Sequence, residues 1–333
     1  MRNFMIGLLV CTLFLTSCSS TLPQRSDTMS AVKTIVFSTL NASTSMIPTP
    51  FQTSTPSPTP LVTPTVTPNA IVRLGLPKPE SQVNILLLGS DYRPKQGYRT
   101  DVIMVLSLNP NKGTATLTSF PRDLYVNIPG RGMNRINASQ EIGGYELTAA
   151  TLKENFDVDV DYYIMTNFAG FKAIVNALGG ITVYAGAELT DTCDLPQAVD
   201  KMCHITVGEN KMNGATALWY VRSRDTTNDF DRTRRAQEVI TAIFKKAMTL
   251  DAINRGPELY DLFMTCVETN LPMDVVLQLL PLSTQIVTNP SLVKRFAIGP
   301  SNITNYVVPG SGAMVLIPDP VSISEIIRQA FYQ

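Results

Sequence analysis

The sequence predicts a mixed α/β domain, a central sheet sandwiched between helices, carried behind an N-terminal segment of a different kind. Three observations lead there. Residues 83–89 (VNILLLG) form a continuous apolar run that closes on Gly89-Ser90-Asp91; two strand-like runs follow, joined by Asn109-Pro110-Asn111-Lys112-Gly113; after them helical and strand-like stretches alternate. An apolar run of that length reads as a strand covered on both faces. The turn marks a hairpin, which makes the sheet mixed, and the alternation lays helices on its faces.

The N-terminal segment comes first. Arg2 precedes an apolar core at 4–15, which ends on Leu15-Thr16-Ser17-Cys18. Residues 1–18 therefore read as a signal peptide, its apolar part too short to span a bilayer. The ending resembles the bacterial lipobox, which implies that Cys18 becomes the lipid-modified first residue of an exported protein, held at the extracytoplasmic face of the cell membrane. Residues 19–80 read as a tether, because 45–69 is built from Pro, Thr and Ser without the apolar periodicity of a core element. Extended at ~3.1 Å per residue, about fifty such residues reach up to about 150 Å.

The folded region is expected at 81–290, with 291–333 as a finishing segment packed on it. Strands are expected at 83–89, 102–108 and 114–120, the last running into Pro121-Arg122-Asp123. A helix is expected at 145–156 after Gly143-Gly144, a strand at 162–167, a helix at 169–178 stopped by Gly179-Gly180, and a strand at 181–184. A helical stretch then runs from Pro272 towards Thr288, strand-like pieces lie at 294–298 and 315–317, and a last helix starts at Ser322. No internal repeat and no glycine-rich nucleotide loop is visible.

Composition narrows the chemistry. Twenty-seven basic against 27 acidic residues argue against general nucleic-acid binding, which goes with a basic excess. The one histidine, His204, restricts any histidine-based mechanism to a loop-like stretch beside Cys203. Of the five cysteines, Cys11 leaves with the signal and Cys18 is the anchor. Cys193 and Cys203 bracket a proline-containing loop and are expected as a disulfide in an oxidising compartment, two reduced thiols being the other reading. Cys266 is expected as a buried small hydrophobe.

Charge gathers in one place. Five arginines fall between Arg222 and Arg235. Arg222 and Arg224 follow the apolar run 217–221 and, in extended backbone, point the same way. Arg232 and Arg235 open a helical pattern and share a face near its positive end. Guanidinium forks match phosphate oxygens bidentately and stay charged, which points to a polyanion such as a pyrophosphate. On this stretch alone a surface network with Asp225, Asp229 and Asp231 is an equal reading. Elsewhere, the strand ends and the loop before the hairpin deliver Asp91, Arg99, Asp101 and Arg122, and a later loop adds Arg135. Carboxylates are hard ligands suited to Mg²⁺; taken singly, each Asp reads equally as a turn cap or ion-pair partner.

Taken together, NILLLGSD (84–91), RTD (99–101), SFPRD (119–123), RINA (135–138), NFAGFKAIVNALGGI (167–181), and YVRSR followed by DFDRTRRAQ resemble, in order, the LytR-CpsA-Psr proteins, bacterial enzymes that transfer glycopolymers from a lipid carrier to the cell wall. The resemblance implies an α/β sandwich with a deep apolar pocket for a polyprenyl tail, capped by arginines that hold a pyrophosphate with Mg²⁺. It assigns Asp91 and Asp101 as acidic site and metal residues, and Arg122, Arg135, Arg222, Arg224, Arg232 and Arg235 as a basic ring, to which Arg99 is added. It implies a phosphotransferase with Asp91, Asp101, Arg122 and Arg222 in the catalytic set, acting on a polyprenyl-pyrophosphate-linked glycopolymer and peptidoglycan. The other readings are a non-catalytic binder of such lipids and a pyrophosphate-lipid hydrolase. Two positions depart from the family pattern: Asp231 stands for Gly and Ala236 for Gln, while Gln237 falls on a different helical face.

Overall fold

Strand β1 (Val83–Ser90) lies inside a six-stranded sheet, as its unbroken apolar run suggests: it is paired on both edges and mostly covered on both faces, with only Val83, Leu87 and Gly89 partly exposed. The computed structural model describes residues 73–91, 99–249, 254–289 and 292–332. The signal peptide 1–18, Cys18 and the tether as far as residue 72 lie outside the described residues.

The hairpin is where the sequence puts it. β2 (Thr100–Asn109) pairs antiparallel with β1, and β3 (Thr114–Ser119) antiparallel with β2. A short hairpin of β4 (Tyr125–Ile128) and β5 (Gly132–Arg135) follows, with no alternation long enough to announce it in the sequence. Helix α1 (Ala138–Phe156) is interrupted at Gly143 and at Gly144, whose φ of 67° suits glycine, so its long regular part is the 145–156 helix expected.

β6 (Tyr162–Asn167) returns parallel to β1, and α2 (Phe168–Ala177) leaves from its end. β7 (Ile181–Ala185) is a strand as expected but lies outside the central sheet. After the hairpin of β8 (Leu189–Thr192) and β9 (Met202–Ile205), β10 (Gly208–Met212) pairs with β7 in a separate ribbon.

Helices α3 (Gly214–Arg222), α4 (Asp229–Ala247) and α5 (Gly256–Cys266) come next, then β11 (Val267–Thr269) on the outer edge of β6 and α6 (Met273–Thr288). β12 (Val293–Ala297) pairs parallel with β3, giving the order β11-β6-β1-β2-β3-β12. β13 (Ile303–Val307) and β14 (Met314–Pro318) form a last hairpin before α7 (Pro320–Phe331).

Alternation along the central strands sorts the core into two layers. Leu86, Leu88, Ile103 and Val105 meet Leu152 and Phe156 of α1 and Ile323, Ile327 and Phe331 of α7 on one face. On the other face Ile85 and Leu108 meet Leu279, Leu282 and Ile286 of α6, and Met104 and Leu117 meet Ala236 of α4. Residues 292–332 are therefore integral to the domain: they supply an edge strand of the sheet and three buried anchors on α7. Each such side chain stabilises by about 1.5–3 kcal/mol. Cys266 is half-buried, less enclosed than expected, because it sits where α5 passes into the edge strand β11.

Candidate active site

Parallel strands β1 and β6 end at the same edge of the sheet, the place where open α/β sheets leave a crevice. A cavity of about 410 Å³ opens there. Its walls are apolar: Leu87 and Ile164 from the sheet, Phe171 from α2, Leu218 and Val221 from α3, Val239 and Ile240 from α4. Asp91, Arg99, Asp101, Arg122, Arg222, Arg224 and Arg232 all line it as well, so seven residues from four separate stretches of sequence converge on one site.

Local structure explains each placement. At Gly89 the β1–β2 register slips, and a Cβ there would stand 3.0 Å from Val102 Cβ, so the strands close tightly only with glycine. Asp91 then clasps the neck of the following loop: its N–H donates to the Arg99 carbonyl at 3.0 Å, and Asp91 Oδ1 accepts from the Arg99 N–H at 2.8 Å. Asp101 Oδ1 accepts from Arg122 Nη1 at 2.5 Å, while its other oxygen has no hydrogen bond within the described residues. Arg122 is gripped on three sides, its Nε lying 3.2 Å from Asp123 and its Nη2 3.7 Å from Asp229. Burial alone would lower its pKa, but the Asp101 hydrogen bond and the three carboxylate charges outweigh burial and hold it above the ordinary value.

The run 217–221 forms the helix α3, so Arg222 does not stand in the extended backbone expected for it. Asn213 caps the helix by accepting from Thr216 N–H at 2.9 Å, and Ala217 and Tyr220 are buried three apart, the spacing of a helix face. Gly214 lets the start of α3 lie against the Lys172 backbone of α2. Arg222 is thus the last helical residue, and its guanidinium lies 4.4 Å over the Phe168 ring. Arg224 comes two residues later, past Ser223, which leaves the helical conformation at ψ 133°. Neither Arg222 nor Arg224 has an ion pair among the described residues. Arg232, from the first turns of α4, lies 3.4 Å from Asp229. Burial, with the charges of Arg122 and Arg224, holds its pKa below the ordinary value against the pull of Asp229 and Asp101. Guanidinium stays charged even so; crowding of three cations around one mouth is repulsion that a bound polyanion relieves.

Two arginines expected in the ring stand elsewhere. Arg235 is 1% exposed and turns away from the cavity: its Nη2 donates to the Ser223 carbonyl, Nη1 donates to Thr227 Oγ1 at 3.2 Å, and the group lies 5.8 Å over Tyr220. On a helix, positions three apart share a face only partly, and here the cavity edge falls between them. Arg135 does not line the cavity either: it pairs with Asp123 at 3.2 Å and donates to the Met314 carbonyl at 2.7 Å, which ties β5 to β14. Asp231 lies 3.8 Å from Arg234, away from the cavity lining. Gln237 is buried and donates from Nε2 to Ser119 Oγ at 2.8 Å and the Phe296 carbonyl at 2.7 Å, so it ties α4 to β3 and β12.

A braced hairpin holds the arginine loop. Cys193 and Cys203 form a disulfide, with Cα atoms 5.7 Å apart, across the end of β8–β9. From this hairpin the carbonyl of Thr190 accepts from Thr226 Oγ1 at 2.8 Å, the hydroxyl of Thr192 donates to Asp225 Oδ2 at 2.8 Å, and Asp191 Oδ2 accepts from Asp225 N–H at 3.2 Å. The loop carrying Arg224 is therefore seated by contacts from 30-odd residues earlier. Asp123, Asp229, Phe168 and Phe171 also belong to the site's surroundings and are not among the expected site residues; the signals were the placing of Asp123 directly after Arg122, the reading of Asp229 as an arginine partner, and the 167–181 motif that holds both phenylalanines.

Among the described residues no group of three or more His, Cys, Asp and Glu side chains gathers as a metal cage. Asp91 and Asp101 are a donor set of another kind, two hard carboxylates on one cavity. That set suits Mg²⁺, which keeps waters and takes its remaining ligands from substrate phosphates.

The sequence model of the LytR_cpsA_psr family matches residues 37–319. Among relatives, a polyisoprenyl-teichoic acid–peptidoglycan teichoic acid transferase, TagU of Oceanobacillus iheyensis, is 34% identical over 247 residues, 72% of this chain and 70% of that one. The enzyme of the same description named TagT, from Bacillus subtilis, is 32% identical over 208 residues, 61% of this chain and 64% of that one, so the chain spans under two thirds of TagT's length. Among solved structures, TagV of B. subtilis superposes with a TM-score of 0.62 at 23% identity over 76% of this chain and 98% of that one. A TagT structure described as bound to LI-WTA superposes at 0.57 with 25% identity, over 79% and 96%. The mixed sheet between helices is the fold of these structures, and the chain belongs to the LytR_cpsA_psr family.

Proposed function

We propose that this chain is a transferase that moves a glycopolymer phosphate from a polyprenyl-pyrophosphate carrier to a sugar hydroxyl of peptidoglycan, as the names of TagU and TagT describe for teichoic acid. The observation that carries the reading is the pairing of an apolar-walled cavity with Arg222 and Arg224, which line it and have no ion pair among the described residues. A polyprenyl pyrophosphate has the complementary halves: an apolar tail for the walls and a compact polyanion for the arginines.

In the transfer, the sugar oxygen forms a new bond to phosphorus while the bond from that phosphorus to the bridging oxygen breaks, and polyprenyl phosphate leaves. Little covalent work falls to the protein, so positioning and charge neutralisation carry most of the catalysis. Arg222, Arg224 and Arg232 hold the phosphates. Asp101 keeps one oxygen on Arg122 and has the other without a hydrogen bond among the described residues, which suits it to take the hydroxyl proton; Asp91, committed to the loop neck, organises the site. Mg²⁺ held by Asp91 and Asp101 would add further neutralisation of phosphate charge.

The test is to measure donor-lipid affinity and transfer to peptidoglycan for the wild type, Arg222→Ala and Arg224→Ala. Each variant is expected to lose about 1.5–3 kcal/mol of donor binding per charge-assisted contact, with transfer falling in step. Unchanged affinity in both variants rules the arginine site out. The Leu15-Thr16-Ser17-Cys18 stretch supports a lipid anchor at Cys18 on the extracytoplasmic face. Carbonate-washed membranes are expected to retain the native chain and release Cys18→Ala; retention of the variant means that the tether lies elsewhere.

A further inference from the structure

A second, smaller cavity of about 120 Å³ is also lined by the Asp101–Arg122 pair. It is separate from the large one but shares a wall with it: Asp101, Val102, Arg122, Arg232 and Ala236 line both. The two differ in charge. The large cavity is lined by five arginines against two aspartates, the small one by two arginines against three aspartates, Asp101, Asp123 and Asp229. An anion is therefore drawn to the first far more strongly than to the second, whose carboxylates offset its arginines. The small cavity also has apolar surface, from Phe230, Pro121 and Leu316, next to its carboxylates. Flat apolar surface beside carboxylate acceptors suits a sugar ring, which presents a face of C–H groups and an edge of hydroxyl donors.

Displacement at phosphorus adds the geometric reason. The attacking and leaving oxygens lie roughly in line on opposite sides of the transferred phosphoryl group. A donor whose tail fills the large cavity blocks approach from that side, so the nucleophile has to come from outside that cavity, and the small cavity adjoins it through five shared residues. Asp101 is lined up for both jobs because it faces both cavities.

We infer that the small cavity bounded by Asp123, Asp229 and Phe230 is the subsite for the acceptor, a neutral sugar that presents its hydroxyl to Asp101 from outside the donor's cavity. The inference rests on the transferase reading and adds where the second substrate sits. Phe230 supplies the face for the ring. Thr233 lines the floor, with its hydroxyl donating to the Asp229 carbonyl at 3.0 Å.

Two variants of the full chain test it without touching a charge. Phe230→Ala removes the platform, and Thr233→Leu fills the space. Donor-lipid affinity, donor hydrolysis by water and the KM for a soluble peptidoglycan oligosaccharide are read on the same preparations. The expected result is an acceptor KM raised about tenfold in both, the size of effect of one lost contact at the centre of an interface, with donor affinity and hydrolysis within about twofold of wild type. An acceptor KM unchanged in both variants, with donor binding intact, overturns the acceptor subsite and leaves the transferase reading standing. A fall in donor affinity in both variants overturns it too, because it places Phe230 and Thr233 in the donor site. A wild type that binds the donor but transfers to no sugar sinks the transferase reading itself, and the subsite with it.

Discussion

Arg232 and Arg235 lie three residues apart on one helix and have opposite surroundings. Arg232 faces the cavity among Arg122, Arg224 and Asp229, with its charge only partly compensated. Arg235 is enclosed, held by the Ser223 carbonyl and Thr227, over the Tyr220 ring. The second setting extends further. Glu238, one turn on, is buried and accepts from Tyr220 OH at 2.7 Å, from Arg234 at 2.6 Å and from Gly186 N–H at 3.1 Å. At the mouth of the cavity, Arg222 and Arg224 have no ion pair among the described residues. An arginine whose donors are met by the protein is committed to the fold, whereas one left facing a cavity is available to a ligand. Charge density along the sequence does not tell the two apart, because both kinds come from one run of arginines.

The sharpest way to break this contrast is at Asp101, on the open side. Asp101→Asn keeps the size and the contact with Arg122 but cannot accept a proton, so transfer is expected to fall by about 10²- to 10⁴-fold while donor affinity stays within a few-fold. Transfer at wild-type rate places the base elsewhere. Next comes the closed side. Glu238→Ala leaves the buried Tyr220 hydroxyl without its partner and Arg234 with only Asp231 at 3.8 Å, and is expected to cost about 1–3 kcal/mol of stability in chemical unfolding. Any protein that remains folded is expected to bind donor normally. Loss of donor binding without loss of stability would erase the distinction between the two regions.

Two further effects sharpen it. Reducing the Cys193–Cys203 disulfide releases a ten-residue separation in sequence and is expected to cost about 2–3 kcal/mol on the chain-entropy account. Because the β8–β9 hairpin seats the loop of Arg224, donor affinity is expected to fall as well, by a few-fold; calorimetry and lipid binding with and without reductant check both. A reduced protein with full affinity shows that the loop is held by its hydrogen bonds alone. The smallest effect concerns pH. Burial and the neighbouring Glu238 raise the Tyr220 pKa above its ordinary value. The folded state then keeps a proton that the unfolded state gives up, so this contribution to stability is whole below about pH 10 and is lost as pH rises beyond it. Tyr220→Phe is expected to flatten the alkaline part of the stability curve relative to wild type. Equal slopes would mean that Tyr220 titrates normally.

Several elements were legible because their signals are local. The apolar run of β1, the turn before β3, the extent of β6 and the glycines that end α2 are each set by residues within a few positions of one another, and the structure has them there. The convergence of Asp91, Arg99, Asp101 and Arg122 follows from the same logic, since the strand ends of one sheet lie together. The extended backbone expected at Arg222 gave way to the end of α3, because the five apolar residues before it suit a strand or a buried helix equally and the choice fell to the Asn213 cap and to packing against α2.

The sequence by itself determined the mixed α/β class, the hairpin, the disulfide pair and the charged residues that line the cavity. Only the tertiary structure decided which arginines face it. Asp123 and Asp229, which share Arg122, are more than a hundred residues apart, and Gln237 reaches back to Ser119. Whether an arginine meets protein or open space depends on elements that far away along the chain, and no periodicity within a helix records what will be packed against it.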